Sequence, residues 1–255
     1  MRGDFLDYIF ICILGLVIGS FLNVCIYRIP MEKSIAFPPS HCTNCKHNLN
    51  PLDLVPVFSY IFLRGKCRYC DEKISIRYPL IEILNGLLYL IVYLKFGLDV
   101  ITIKYCILVS LLIVISAIDF DTQFVFTSTT IFGGIVGVLF ILLQYVLYKN
   151  NVLDLILGGI LGAIIIGLIV FLTRGMGEGD IEIAAVCGVF LGVKGILLGL
   201  FLAIVLGGII GIIVLALKLK KAKEKIAFGP FIAIGSLISM IYGTEILKIY
   251  WSLLM

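Results

Sequence analysis

The sequence predicts an all-α membrane protein that crosses the bilayer about eight times. Three observations indicate this class: 61% of the residues are hydrophobic, only 14% are charged, and the mean hydropathy is +1.16. Soluble domains contain about 25% charged residues. The composition therefore excludes an ordinary soluble fold and favours a polytopic membrane protein.

The apolar residues are gathered into runs that match membrane helices. A transmembrane helix needs about 20 mainly apolar residues, and seven runs satisfy this requirement: 5–26, 79–96, 101–118, 129–148, 152–173, 195–217 and 228–247. The run 181–193 is an eighth, shorter candidate. It is expected either to extend back through the preceding glycines or to be sheltered by neighbouring helices. The first run lacks a basic leader and a clear cleavage site, so we interpret it as a retained helix rather than a removable signal peptide.

Lysine and arginine predict the orientation, because they are enriched in cytoplasmic loops. Eight alternating helices place most of these residues on one side, in the loop 27–78, at Arg174 and in the run 218–225. The sequence therefore predicts an N terminus outside and these loops in the cytoplasm. The net charge of +4 reflects this topology and suggests no nucleic-acid partner. The basic run is expected to orient the protein or to contact anionic lipid in the bilayer.

Four of the eight cysteines form a metal-binding pattern in the loop 27–78. The motifs HCTNC and KCRYC give C-x2-C twice, separated by 21 residues, which is close to the spacing of a structural four-thiolate zinc site. Another metal, two disulfides or a redox pair are the alternatives, and a reducing cytoplasmic face disfavours the last two. His41 and His47 flank the first pair and are expected to be solvated or adjacent to the site. The predicted ligands are Cys42, Cys45, Cys67 and Cys70; the small hydrophobic helix residues are Cys12, Cys25, Cys106 and Cys187.

Carboxylates in a membrane segment are costly and are therefore candidates for function. One pair, Asp119 and Asp121, ends the third predicted helix in SAIDFDTQF. A second pair, Glu178 and Asp180, lies in GEGD between the fifth and sixth. Glu82, one turn into the second helix, is expected to be explained by interfacial pairing with Arg77 or Tyr78.

The predicted topology puts both acidic motifs at the same face of the membrane. Asp119 and Asp180 are therefore expected to meet near the cytoplasmic surface and to share one proton. One carboxylate would then deprotonate a water while its protonated partner polarises a carbonyl. Three glycines, Gly175, Gly177 and Gly179, would let a peptide approach the backbone closely. Acids that solvate a loop or form a cation pathway are the alternative from the residues alone.

Several motifs, in order along the chain, resemble those of the type IV prepilin peptidases, which are bifunctional membrane aspartic proteases. They are GSFLNVCIYRIP (19–30), HCTNC (41–45), LRGKCRYCDEKISIRYPLIEILNG (63–86), IDFDTQ (118–123) and GEGD (177–180). The resemblance implies a bacterial plasma membrane enzyme that removes the basic leader of type IV prepilin or pseudopilin precursors after a glycine. It also implies, in many members, methylation of the new amino terminus with S-adenosylmethionine.

The same resemblance implies roles for particular residues. Asp119 and Asp180 match the catalytic aspartates, Asp121 matches an accessory acidic position, and Gly177 and Gly179 support the second motif. The expected organisation is a first helix at 1–26, a zinc-binding loop domain at 27–78 and a peptidase domain at 79–255. No glycine-rich signature for S-adenosylmethionine is visible, so no residue is assigned to bind this cofactor.

Three positions depart from the family pattern. Phe126 and Thr127 stand where a proline and an aspartate are usual, and Glu182 stands where a lysine is usual. An active peptidase is expected, with an altered pH optimum, substrate range or methylation activity. Another GxGD intramembrane protease is an alternative function. A cation-coupled transporter is a further one, which the absence of an obvious inverted repeat disfavours.

Overall fold

The computed structural model describes residues 5–149, 152–173, 175–217 and 227–254, and the regular elements among these residues are helices, with no strand. This confirms the all-α class. Arg174 and the run 218–225, used above for orientation, lie outside the described residues. In chain order the helices are α1 (Phe5–Arg28), α2 (Phe58–Phe62), α3 (Arg77–Phe96), α4 (Val100–Thr122), α5 (Thr127–Tyr148), α6 (Leu153–Thr173), α7 (Glu178–Ala216) and α8 (Gly229–Leu254).

Within the described residues, seven helices are long and apolar enough to cross a membrane, namely all except the five-residue α2. Their ends extend beyond several of the apolar runs. Helix α4 continues to Thr122, which places Asp119 inside the helix, and α8 continues to Leu254. The difference arises because hydropathy falls at the first polar residues, whereas backbone hydrogen bonding continues past them.

The short apolar run 181–193 and the next run join in one element, the 39-residue α7, which is broken at Gly192. Gly192 has φ 73° and ψ −179°, which are not helical angles. A Cβ on Gly162 would lie 2.5 Å from the Ala184 carbonyl oxygen and 3.1 Å from the Ile196 side chain. These two residues would be about 18 Å apart along a straight helix. The chain therefore doubles back at Gly192 into two helical segments, 178–191 and 193–216.

One compact unit extends to Val114 and is organised around α1 and α3. These helices are antiparallel, and buried amides join them: Asn85 donates to the Gly15 carbonyl at 2.7 Å, and Asn23 donates to the Tyr78 carbonyl at 3.1 Å. The Ser110 hydroxyl of α4 donates to the Asn85 side chain. Because buried polar groups are costly unless paired, these bonds fix the helix register.

A second compact unit begins at Ile115, and its centre is the broken helix α7. Helix α6 packs along the segment 178–191, where a side chain on Gly158 or Gly188 would collide with the backbone of the other helix. Helix α8 packs along 193–216, where Gly199 lies against the backbone of Ser236. Small residues let membrane helices approach closely, and this approach supplies the packing energy.

Replacing Gly192 by alanine tests the break. The new Cβ would occupy a backbone conformation that costs about 1–3 kcal/mol in an L residue, and it would collide with the carboxylate of Asp154. We expect a lower midpoint of thermal unfolding in detergent. Gly208→Ala is the matched control, because a Cβ at this position of α7 meets no atom within 4 Å. Equal unfolding midpoints for Gly192→Ala and Gly208→Ala would contradict a break of the helix at Gly192.

Candidate active site and metal centre

Asp119 and Asp180 line the same cavity, which has a volume of about 990 Å³. Asp119 lies one turn before the end of α4, and Asp180 lies in the first turn of α7. Both residues are buried, at 4% and 5% exposure. The structure thus brings together the two carboxylates that the sequence placed at one membrane face.

Each carboxylate is held by a backbone N–H group. The Gly229 amide donates to Asp119 Oδ2 at 2.9 Å, and the Gly177 amide donates to Asp180 Oδ2 at 3.0 Å. Neither Oδ1 atom accepts a hydrogen bond from a described residue. Each side chain is therefore oriented through one oxygen, and the other remains available for a water molecule or a substrate. Asp180 also benefits from the positive end of the α7 dipole.

Glycines permit close packing around the two carboxylates. A Cβ on Gly179 would lie 2.5 Å from the Val125 side chain, so glycine lets α7 begin against the segment that follows α4. A Cβ on Gly229 would lie 2.6 Å from Asp119 Oδ2. Sequence reasoning missed Gly229. The only local signal was the glycine–proline pair that opens the last apolar run, which is typical of a helix start.

The rest of the cavity wall is mainly apolar. Phe124 and Phe171 are also strongly exposed, at 71% and 81%, so the apolar wall continues onto the outer surface of this unit. Glu178 adds an exposed carboxylate. The arrangement suits an extended substrate with an apolar segment. The apolar lining residues are Phe124, Val125, Val170, Phe171, Met176, Ile181, Ala227 and Phe228.

Two other acids predicted near the site do not line the cavity. Asp121 is exposed on α4. Glu182 points to α5, where it accepts a hydrogen bond from the buried Thr130 hydroxyl. The Thr130 hydroxyl oxygen also lies 3.0 Å from the Thr127 carbonyl oxygen, and its single hydrogen can be donated to only one of these two acceptors at a time. The hydrogen bond between Thr130 and Glu182 therefore joins α5 to α7, and Thr127 takes part only through its backbone carbonyl.

The four loop cysteines form a cluster in the first unit. Their Sγ atoms all lie within 4.8 Å of one another, and those of Cys42 and Cys70 are 3.8 Å apart. Four thiolates at the usual zinc distance of about 2.3 Å form a tetrahedron with edges of about 3.8 Å. The cluster therefore fits a tetrahedral metal ion, and four thiolates would leave no open coordination position.

Two similar backbone turns present these cysteines. In the first, the Cys42 amide donates to the His47 carbonyl; in the second, the Cys67 amide donates to the Glu72 carbonyl. The residues after the second cysteine of each turn, Lys46 and Asp71, have φ angles of 61° and 57°. The two C-x2-C motifs thus form matching turns that direct their sulfur atoms to one point.

The protonation of the thiols also suits a metal site. Burial opposes ionisation of Cys42, but the N–H groups of Cys45 and Asn44 and the neighbouring thiols lower its pKa to about 7. The pKa of Cys67 is raised: the Tyr69 amide lowers it, but burial and the thiols of Cys42 and Cys70 outweigh that effect. A metal would displace the remaining protons, because cysteine binds metals as the thiolate.

Neighbouring side chains brace the cluster rather than join it. Asp53 accepts hydrogen bonds from Arg68 at 2.6 Å and from the Tyr69 hydroxyl at 3.1 Å, and both donors lie between Cys67 and Cys70. The His47 ring stacks on Tyr69 with its centroid 3.7 Å away. His41 Nδ1 lies 2.9 Å from the Pro39 carbonyl oxygen.

Comparison with known proteins gives the family. Residues 13–96 match the family model of the bacterial peptidase A24 N-terminal domain, and residues 106–212 match that of the type IV leader peptidase family. The chain belongs to the type IV leader peptidase family. It is therefore a member of an enzyme family, and the cysteine cluster and both cavity carboxylates lie within the matched ranges.

Three bacterial relatives share the name prepilin leader peptidase/N-methyltransferase. The Bacillus subtilis protein is 30% identical over 93% of this chain and 95% of its own length. The Neisseria gonorrhoeae protein is 34% identical over 88% of this chain and 86% of its own length. The Myxococcus xanthus protein is 36% identical over 81% of this chain but only 63% of its own length. No solved structure matches the chain.

Gly229→Ala tests the contact that holds Asp119. The added Cβ would displace the carboxyl group, and a misplacement of about 1 Å can lower catalysis by about 10²-fold. We expect a loss of that order in leader peptidase activity, with an unchanged elution profile in detergent. Gly175→Ala is the control at the same cavity, since its Cβ would make only an ordinary contact of 3.5 Å with Thr173. Full activity of Gly229→Ala would show that activity does not depend on the position in which Gly229 holds Asp119.

Proposed function

We propose that the protein cleaves the leader peptide of type IV prepilin-like precursors with Asp119 and Asp180 as its catalytic pair. One observation carries the proposal: two buried carboxylates from different helices line one cavity, each with an oxygen free of bonds from described residues. The names of the relatives supply the substrate class. Asp121 is assigned an accessory role, with Gly177 and Gly179 supporting the second motif.

The chemistry follows from two carboxyl groups that hold one proton between them. The ionised carboxylate takes a proton from a water molecule, whose oxygen forms a bond to the carbonyl carbon of the scissile peptide. The protonated partner donates to the carbonyl oxygen. The tetrahedral intermediate then breaks its C–N bond and the amine nitrogen takes up a proton. The products are the free leader and a precursor with a new amino terminus.

The cavity wall supports a substrate that combines an apolar helix with a basic leader. Its exposed apolar residues, Phe124 and Phe171, suit a segment that lies partly in the membrane. The Glu178 carboxylate suits a basic leader. We place this cavity and the cysteine loop at the cytoplasmic face of a bacterial plasma membrane, with the N terminus outside. The proposed organisation remains a first helix at 1–26, a loop domain at 27–78 and a peptidase domain at 79–255.

We assign zinc to the cysteine cluster, held by Cys42, Cys45, Cys67 and Cys70. The zinc would be structural, because four thiolates leave no position for a water or a substrate. The loop has few large buried apolar side chains of its own, so metal binding would contribute much of its folding free energy.

We also propose that the enzyme methylates the new amino terminus, with S-adenosylmethionine as the methyl donor. The double name of the relatives supports this second activity. The transfer would form an N–CH₃ bond at the terminal amine as the S–CH₃ bond of the donor breaks, with loss of a proton from the amine.

Asp119→Asn and Asp180→Asn test the catalytic pair. We expect each single change to reduce leader cleavage by about 10²–10⁴-fold, the usual contribution of general acid–base catalysis. Coexpression with a prepilin precursor, followed by mass spectrometry of its amino terminus, measures cleavage and methylation together. Asp121→Asn is the comparison variant and is expected to lower cleavage far less, because Asp121 does not line the cavity. Normal cleavage by either Asp119→Asn or Asp180→Asn would refute the proposed pair.

Metal analysis of the purified protein tests the zinc assignment. We expect a single zinc ion per chain in the unaltered protein and loss of this zinc in Cys67→Ser, with faster proteolysis of the loop. Cys12→Ser, in α1, is expected to keep the zinc. A different metal, or disulfides between the loop cysteines in protein purified under reducing conditions, would contradict the assignment.

A further inference from the structure

Helix α2 exposes its apolar side chains and turns its polar ones inward. Phe58, Ile61 and Phe62 are spaced i, i+3 and i+4, so they share one face, and they are 57%, 62% and 82% exposed. Ser59 and Tyr60 are less exposed, and the Tyr60 hydroxyl donates to the Ile74 carbonyl of the same loop at 3.3 Å. A surface helix in water shows the opposite arrangement. The outward face of α2 therefore suits an apolar environment.

A strained turn sets the direction of this helix. The Phe58 amide donates to the Pro56 carbonyl at 2.6 Å, which closes a three-residue turn around Val57. Val57 has φ 63° and ψ −51°, a conformation that is rare and strained, above all for a β-branched residue. Such strain persists only where surrounding contacts impose it.

The contact that imposes it comes from Glu82 in α3. The buried Glu82 carboxylate accepts the Val57 N–H at 2.7 Å, and it also lies near the Ser20 side chain of α1. The expected pairing of Glu82 with Arg77 or Tyr78 is thus replaced by a hydrogen bond to the loop backbone. A carboxylate within a membrane helix holds the loop backbone where α2 begins.

The same contact determines the depth of α2 relative to α3. Glu82 is five residues into α3, which is long and apolar enough to span a membrane. At 1.5 Å per residue, it lies about 7.5 Å from the start of that helix. Val57 therefore lies beside the second turn of α3, close to the end of the helix that begins at Arg77. Arg64 and Lys66, both exposed, follow α2 directly.

We propose that α2 lies in the membrane interface, with Phe58, Ile61 and Phe62 immersed at the boundary between headgroups and acyl chains. Arg64 and Lys66 would then contact the phosphates of anionic lipids, to which exposed basic residues are attracted. The partner of this surface is the phospholipid bilayer itself, as for other interfacial helices with an apolar face. This position of α2 would anchor the cysteine loop to the membrane surface. It does not depend on the catalytic pair.

Fluorescence quenching in vesicles tests this placement. The sequence contains a single tryptophan, Trp251, so Phe62→Trp combined with Trp251→Phe gives one reporter on α2. The protein is reconstituted in vesicles of phosphatidylcholine and phosphatidylglycerol, with or without bromine on carbons 6 and 7 of the acyl chains. We expect blue-shifted emission that falls at least twofold in the brominated vesicles. The matched control is Thr43→Trp with Trp251→Phe, since Thr43 is exposed between Cys42 and Cys45. The tryptophan at position 43 is expected to emit at the longer wavelength of a water-exposed indole and not to be quenched by the brominated lipid.

Emission from the α2 reporter at the wavelength of a water-exposed tryptophan, without quenching by the brominated lipid, would overturn the proposal. So would quenching equal to that of the Thr43 reporter. A blue shift that appears only when a prepilin peptide is added, or only as the protein concentration rises, would also overturn it. A blue shift that depends on the peptide would mean that the face binds the substrate, and one that depends on protein concentration would mean that it binds a second copy of the chain.

The role of Glu82 is tested in the same reporter background. Glu82→Gln keeps an oxygen that accepts the Val57 N–H, whereas Glu82→Ala does not. We expect normal quenching with glutamine and at least twofold weaker quenching with alanine. Equal quenching in the two variants would overturn the assignment of Glu82 as the residue that positions α2.

Discussion

The reversal of the chain at Gly192 is the constraint on which the second unit depends. A straight helix of 39 residues would be about 58 Å long, nearly twice the thickness of the hydrocarbon core of a membrane. The positive φ of Gly192 divides α7 into two segments that return toward the same end. The start of α8 can then lie beside Ile183 in the first segment while Phe228 reaches Gly207 in the second. The Gly229 amide is thereby placed on Asp119.

The two acidic side chains occupy different local settings despite sharing a cavity. The Asp180 carboxylate accepts a hydrogen bond from the Gly177 amide of its own motif, so its position is fixed by residues close in sequence. Asp119 depends on Gly229, which is 110 residues away. The geometry of the pair therefore combines one local and one long-range restraint, and only the second is sensitive to how α8 packs on α7.

Much of this architecture could be predicted from the sequence, because hydropathy and motif spacing are local properties. The all-α class, the apolar runs and the four-cysteine cluster belong to this group. The break at Gly192 appeared only as an unusually short run, since a glycine has no hydropathy signal that distinguishes a bend from a helix interior. Gly229 and the bond from Val57 to Glu82 were not predictable, because they depend on backbone atoms from distant segments. The contact between Thr130 and Glu182 was missed because it joins two side chains that are 52 residues apart in the sequence.

Main-chain amides, rather than side chains, supply the donor to each carboxylate. Almost any substitution leaves an amide hydrogen in place; among the standard residues only proline removes it. Most substitutions at Gly177 and Gly229 would therefore keep the N–H donor, but they would add a side chain beside the carboxylate. Sequence drift in this enzyme is consequently filtered by shape more than by chemical identity at Gly229, where a Cβ would lie 2.6 Å from Asp119 Oδ2, whereas a Cβ on Gly177 would make only ordinary contacts.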